Sequence, residues 1–387
     1  MFTRRSFLKT AIVAGAAIPG LPSLSTFGEI IDKVNDKLAV EATLNRRKYQ
    51  FVKADGNIAF TPRYVPGTYF KNGLISTKIG DTQGGYYNQS GKLVIHANCF
   101  SVFPFSEGLA YVENWSPVSA NHHASSKPET GFIDTTGTMH IRKSRLGINN
   151  SKVELGWEFS EGLLPVGING KYGYIDRTGD IVIEPRFDYA TDFHEGLAVV
   201  HSGSTCGYIN RFGEIAIEPR YATAFDFSEG CAFVNTKKNN MLCIDKRGRM
   251  VMDLDMKIEE FTFNVHGPSS GMICVKREGR SCFYHADGNI ALEPAYDEVR
   301  PYFSEGLVPA AIDGKWGYMN KLGEMVIPPQ FDGANDFSEG MAAVRIKERY
   351  GFINKHGEMV FEPRFYQAFH FSEGLSLVKL VPDARRG

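Results

Sequence analysis

One four-residue phrase recurs along this chain and limits what it can become. Phe-Ser-Glu-Gly stands at 105–108, 159–162, 227–230, 303–306, 337–340 and 371–374, with Phe193-His194-Glu195-Gly196 a near copy. Weaker copies place the glycine at Gly73 and Gly271. The glycines then fall at 73, 108, 162, 196, 230, 271, 306, 340 and 374. A second glycine series, 56, 91, 137, 179, 213, 248, 288, 323 and 357, leads the first by 17 residues in six units. Two series in step fix nine units with a period of about 34 residues. Ordering one such unit costs roughly 34–68 kcal/mol of backbone entropy. Burying one of its aromatic rings returns only about 4–6 kcal/mol. No unit stands alone, so each must stack on its neighbours.

Within a unit the pattern is that of short strands. In 171–200, Lys171 to Asp176 reads as a strand, Arg177-Thr178-Gly179 as a turn and Asp180 to Pro185 as a second strand. His194-Glu195-Gly196 turns again before a strand from Leu197 to Val200. The runs are four to six residues long, β-branched or aromatic, and bounded by Gly or Pro. Gly179 and its equivalents are expected at φ > 0 in hairpin turns. Proline follows six residues later at Pro62, Pro185, Pro219, Pro294, Pro329 and Pro363, where it ends a strand or marks an edge. The aromatic two residues on (Tyr64, Phe187, Tyr221, Tyr296, Phe331, Phe365) is expected to pack between units.

Lys315-Trp316-Gly317-Tyr318-Met319-Asn320, with copies at Lys171-Tyr172-Gly173 and Arg349-Tyr350-Gly351, resembles the WG (KWG) repeat of bacterial proteins. The resemblance covers about residues 48–380. One unit keeps the Trp; Cys206 replaces it in another, and Cys282 replaces the Gly in a third. The unit at Asn240-Met241-Leu242-Cys243 has neither. The resemblance implies a β-repeat scaffold and no particular reaction. The expected fold is all-β: a tandem array of about nine units of three to four short antiparallel strands, open or superhelical. The alternative is a closed propeller-like ring. Thirty-four residues is short for a propeller blade and nine blades are many. On the other side, the first unit starts at Gln50 in the Tyr-Ile-Asp strand and the last ends at Leu375 in the Gly-Leu strand, so the two ends can complete one another. Insertions at 115–130, 140–156 and 253–266 are expected to form loops on a binding face.

The N-terminus carries a different signal. Thr3-Arg4-Arg5-Ser6-Phe7-Leu8-Lys9 precedes an uncharged stretch to Phe27. It resembles the twin-arginine export signal, read through Arg4 and Arg5. The resemblance implies handling by the twin-arginine translocase, residues 1–27 as signal peptide, and a periplasmic or secreted bacterial protein. Pro19, Pro22 and two glycines interrupt the stretch, so no stable membrane span is expected. Residues 28–47 read as a linker whose short amphipathic helix, over about 28–40, caps the repeat domain (48–380). Residues 381–387 form a tail. The formal charge is −1, and −4 without residues 1–26. That argues against nucleic acid as a partner.

A catalytic residue should be singular, whereas an architectural one recurs. Glu107, Glu161, Glu195, Glu229, Glu305, Glu339 and Glu373 share one slot, which fits a turn contact and no mechanism. Asp134, Asp176 and Asp245 alternate with Asn210, Asn320 and Asn354 in another, as expected of a side-chain oxygen that accepts backbone hydrogen bonds in a turn. The cysteines at 99, 206, 231, 243, 274 and 282 read chiefly as small core residues, with a cross-unit pair Cys231–Cys243 as one alternative. No catalytic residue, metal site or cofactor is expected. Trp115, His122 and His123 are the candidate binding residues, because they break the repeat together. The acidic stretch at 253–260 lacks calcium-loop spacing. The reading is an exported, non-enzymatic binding or scaffold module for a protein or envelope polymer. The alternative is a periplasmic glycan-acting or glycan-binding enzyme that uses residues in the insertions.

Overall fold

The computed structural model describes residues 49–380, apart from 65, 118–126, 147–151, 254–264, 270–271, 278–279, 286–288 and 293–295. The export segment, the helix expected over 28–40, His122, His123, Gly271, Gly288, Pro294 and most of the 253–260 stretch therefore lie outside the described residues. The rest is a tandem array of small antiparallel sheets, numbered here as strands β1 to β34, with one helical turn, α1 (Lys143–Leu146). Two compact units can be distinguished, residues 145–303 and residues 49–144 with 304–380. Among the described residues no helix is long and apolar enough to cross a membrane.

The sheet of β14 (Tyr189–Ala190), β15 (Leu197–Ser202), β16 (Thr205–Asn210) and β17 (Ile215–Tyr221) shows the plan, and its strands pair in chain order. Each sheet thus takes the second half of one sequence unit and the first half of the next. At the ends of the array this offset has a consequence. β1 (Tyr49–Lys53) pairs antiparallel with β34 (Leu375–Leu380), Phe51 facing Leu377, so the first half-unit completes the last.

The Ser-Glu-Gly-Leu segments are two-residue hairpins. His194 and Leu197 exchange both backbone hydrogen bonds, at 2.9 and 3.1 Å. Glu195 (φ 55°) and Gly196 (φ 83°) both lie in the left-handed region, as a type I′ turn requires. The same glutamate slot has φ of 50–55° at 107, 161, 229, 305, 339 and 373. That conformation costs a non-glycine residue about 1–2 kcal/mol, and the glutamate's side chain explains why it is kept. Glu161 accepts the Gly196 amide at 3.0 Å, Glu195 those of Glu229 and Gly230, and Glu339 those of Glu373 and Gly374. The serine before it also reaches forward: Ser160 Oγ donates to the Phe193 carbonyl and Ser338 Oγ to that of Phe371. Ser372 and Glu373 make the same bonds to the Phe70 carbonyl and the Gly73 amide. The last repeat therefore latches to the first as the others do to their successors.

This latch is acid-sensitive. Burial pushes the Glu195 and Glu305 carboxyls up, but the amides of Gly230 and Gly340 and the ammonium groups of Lys246 and Lys355 outweigh it and hold both below their ordinary value. A lowered folded-state value adds stability above the unfolded value, about 4.3, and loses it as pH falls through the folded one. Unfolding free energy, followed by denaturant titration, is expected to drop between about pH 5 and pH 3. Glu195→Gln with Glu305→Gln should start about 1 kcal/mol lower per site and fall less steeply. An unchanged slope would refute the role given to these carboxylates.

The glycine of the Trp-Gly pair has a steric cause. Opposite Gly173, β13 (Ile181–Phe187) bulges: Tyr174 pairs with Ile183 but Tyr172 with Phe187, so Glu184, Pro185 and Arg186 crowd over one glycine. A Cβ there would meet the Ile183 carbonyl and the Pro185 nitrogen. The strand expected to end at the proline therefore continues through it. The proline sits in the bulge of an edge strand, where its missing N–H costs no ladder bond. The aromatic after it is buried between repeats: Tyr221 shares a cluster with Leu197, Tyr208, Phe227 and Ile244. Arg220 stacks over Tyr221 at 5.1 Å and donates to the Gly248 carbonyl of the next turn at 2.8 Å.

A second aromatic pair links each sheet to the approaching turn. Tyr174 packs on Phe193 at 4.8 Å, Tyr208 on Phe227 at 4.9 Å and Tyr318 on Phe337 at 4.7 Å. Each tyrosine hydroxyl donates at 2.7 Å to a carbonyl 17 residues on, at Thr191, Phe225 and Asn335. The Asp/Asn slot accepts the backbone amides two and four residues ahead, at Asp176 (2.9 and 3.1 Å) and at Asn320 (2.9 and 3.0 Å).

Candidate functional site

With the recurring carboxylates engaged in architecture, the site must be sought among residues that vary from copy to copy. In the unit formed by 145–303 such residues enclose a cavity of about 220 Å³. Glu154 and Trp157 come from β10 (Val153–Leu155) and the chain just after it. Tyr172 comes from β12 (Lys171–Asp176) and Tyr189 from β14. Asp192 and Asp226 each precede the phenylalanine of a Phe-(Ser/His)-Glu-Gly quartet, in successive repeats.

That slot is where the repeats differ. It holds Tyr69, Pro104, Glu158, Asp192, Asp226, Tyr302, Asp336 and His370 in chain order. At Pro104, Asp192, Asp226 and Asp336 the preceding carbonyl is held by a tyrosine hydroxyl and the following phenylalanine is buried, so the slot is presented rigidly while its side chain is free to change. Asp226 is 8% exposed, accepts from Thr191 Oγ1 at 3.1 Å and lies 3.6 Å from His194 Nε2. Tyr172 donates to Glu154 Oε2 at 2.6 Å, and Lys152 pairs with Glu154 Oε1 at 2.9 Å from a solvent-exposed position. The Tyr172 and Tyr189 rings are 5.1 Å apart and inclined at 60°. Burial, reinforced by Asp192 and Asp226, pushes the Tyr189 hydroxyl up to about 12. Behind Tyr189, burial holds His201 below its ordinary value against the pull of Asp188. In the other unit, the same slot sets His370 against Tyr69 at 5.9 Å, and burial lowers His370 despite Asp336 and Glu339. Among the described residues no group of three or more His, Cys, Asp or Glu is placed to hold a metal ion.

A family model described as WG containing repeat matches residues 85–114, 172–203, 207–240, 283–316, 316–350 and 350–380, half of the chain. The chain belongs to the WG-repeat family. No curated protein matches it. Among solved structures, a eukaryotic initiation factor is similar with a TM-score of 0.50 at 11% identity, over 86% of this chain and 98% of the other. The computationally designed Ika8 protein gives 0.40 at 12% identity, over 77% and 96%. BamB from Moraxella catarrhalis gives 0.38 at 9%, over 81% and 96%. At such identities the likeness concerns fold alone.

In this WG-repeat protein, of the candidate binding residues singled out from sequence only Trp115 lies among the described residues. Trp115 is not in a loop: β7 runs Leu109–Pro117, and Trp115 is 2% exposed in a core with Tyr86, Phe105 and Ile133. The first insertion therefore begins after Pro117. The second, 140–156, ends in β10 and does supply a cavity residue, Glu154. Cys99, Cys206 and Cys274 are buried core thiols, and burial pushes Cys99 and Cys206 up to about 12. Cys231 and Cys243 form a disulfide. It lies within one sheet and still joins two sequence units, because the sheets are offset from those units, so the cross-unit pair expected as an alternative is the one formed. Asp192 and Asp226 escaped the sequence reading, though comparing the one variable slot inside the most regular phrase would have found them.

Proposed function

We propose that this WG-repeat protein is an exported, non-enzymatic binding module whose partner is a protein or an envelope polymer. The observation that carries the reading is the use of the recurring carboxylates. They latch one repeat to the next, which leaves the variable slots and insertions as the chemistry the molecule presents. Export through the twin-arginine translocase is supported by the phrase at 3–9, with Arg4 and Arg5 as its readable pair. The Cys231–Cys243 disulfide also supports it, since such bonds persist in oxidising compartments.

Two measurements test this. In cells, the full chain is expected in the periplasmic or secreted fraction, and Arg4→Lys with Arg5→Lys should leave most of it in the cytoplasm. Equal distribution of the two proteins would remove the export half of the proposal. For binding, the folded chain is used to capture partners from envelope fractions, against a deletion of residues 119–126 that spares Trp115 and removes His122 and His123. A partner whose recovery does not depend on that segment would move the binding face elsewhere. A second reading, glycan-acting enzyme, draws on Trp157 and Glu154 lining one cavity. Turnover of a polysaccharide that Glu154→Gln abolishes would promote it.

A further inference from the structure

The cavity in residues 145–303 has a chemistry of its own. Three of its lining residues, Glu154, Asp192 and Asp226, bring carboxylates, while no lysine or arginine lines it. His194 and Lys152 touch two of these carboxylates from outside the lining. Trp157, Tyr172 and Tyr189 supply aromatic faces, with Trp157 43% exposed. At about 220 Å³ the space is below the range of drug-sized pockets, about 300–1,000 Å³, and suits one side-chain-sized group.

We propose that this cavity is a binding site for an organic cation, a primary ammonium or guanidinium group on an alkyl stem. The inference rests on the binding-module reading and gives the bound group its chemistry. An anion would face like charge. A neutral ligand would strip water from three carboxylates without replacing it by countercharge, an expensive exchange. A cation answers both: its head meets Asp192 and Asp226, and its stem and charge lie against electron-rich ring faces. The negative potential is already felt within the protein, where the two aspartates help raise the Tyr174 and Tyr189 hydroxyls. The stem enters past Trp157, and Thr191, which holds Asp226, fixes the direction of the deeper carboxylate.

The source of the cation is either a side chain of a partner or a free amine, and the test separates them. The full chain is titrated by calorimetry with blocked lysine and blocked arginine, with their neutral isosteres norleucine and citrulline, with cadaverine, and with a short lysine- and arginine-containing peptide. The cations should bind saturably and the isosteres at least tenfold more weakly. Asp192→Asn should weaken cation binding about tenfold and Trp157→Ala about fivefold. A peptide that outbinds cadaverine assigns the site to a partner's side chain; the reverse order assigns it to a free amine. Isosteres that bind as well as the cations, or no saturation by any cation, overturn the proposal using wild-type protein alone. So do variants that retain folding and bind as tightly as wild type. If cation binding fails while envelope capture survives, this inference falls and the binding-module reading stands.

Discussion

Gly317→Ala is expected to destabilise the fold by about 3 kcal/mol, the upper end of what overpacking by one carbon costs. Gly317 lies in the strand Lys315–Asn320, paired on one side with Leu307–Ile312 and on the other with Met325–Phe331. An added methyl would be driven into the Ile327 carbonyl and the Pro328 backbone. Backbone cannot rotate away as a side chain can, and the bulge at Pro328-Pro329 leaves no slack on that side. Gly340→Ala is the informative contrast. Gly340 has φ of +77° and nothing within 4 Å of a built Cβ, so its substitution meets conformational strain alone, about 1 kcal/mol. Guanidinium unfolding of the two variants should separate them by about 2 kcal/mol, with the fluorescence of neighbouring Trp316 reporting the local change. Equal losses would mean that the backbone opposite Gly317 gives way to the added methyl, and that the space the glycine leaves is not what keeps it there.

That contrast also shows what periodicity makes legible. Two glycine series in step gave the repeat length, the strands and the Asx turns, because those depend on residues within six positions of one another. They also placed Gln50 and Leu375 where the first and last half-units meet, and β1 pairs with β34. Periodicity identifies which positions recur but not what lies across from them. Glu195 was legible as a turn residue. Its bonds to Glu229 and Gly230, 34 and 35 residues on, were not, since they cross from one repeat to the next. Pro185 was legible as ending a strand or marking an edge; the edge is what the fold uses, and the bulge over Gly173, which periodicity does not show, lets the strand run on past it. Trp115 stood out as a departure from the repeat and was read as a loop residue. It is instead the buried end of an extended strand, paired with Glu129. The cavity was hidden for the opposite reason: Asp192 and Asp226 sit inside the most regular phrase, where variation in one slot is easily overlooked.

The repeat that departs furthest from the pattern makes the second large prediction. Elsewhere a Leu or Met of the Gly-Leu strand packs beside a Tyr or Phe of the Tyr-Ile-Asp strand, as Leu163 does with Tyr174, Leu307 with Tyr318 and Met341 with Phe352. The sheet of Cys231–Asn235 and Met241–Asp245 has cysteine in both places, and the disulfide occupies the position of that contact. Leu242 replaces the glycine there, and the partner strand has no proline and pairs Leu242 with Asp253 and Cys243 with Met252. This sheet thus lacks the glycine, the bulge opposite it and the tyrosine at once, keeping only the shift between Cys243 and Ile244, and the covalent link compensates. Closing a loop of 12 residues contributes about 3 kcal/mol. Reduction of the wild type, or Cys231→Ala with Cys243→Ala, should therefore lower the unfolding free energy by about 3 kcal/mol. Cys231→Leu with Cys243→Phe restores the apolar pair, on the precedent of Met341 beside Phe352. That variant should be indifferent to reductant and more stable than the double alanine by about 2 kcal/mol. Reductant that leaves wild-type unfolding unchanged would show that packing of Phe225, Phe233, Met241 and Ile273 around the sulfurs holds this sheet without the bond.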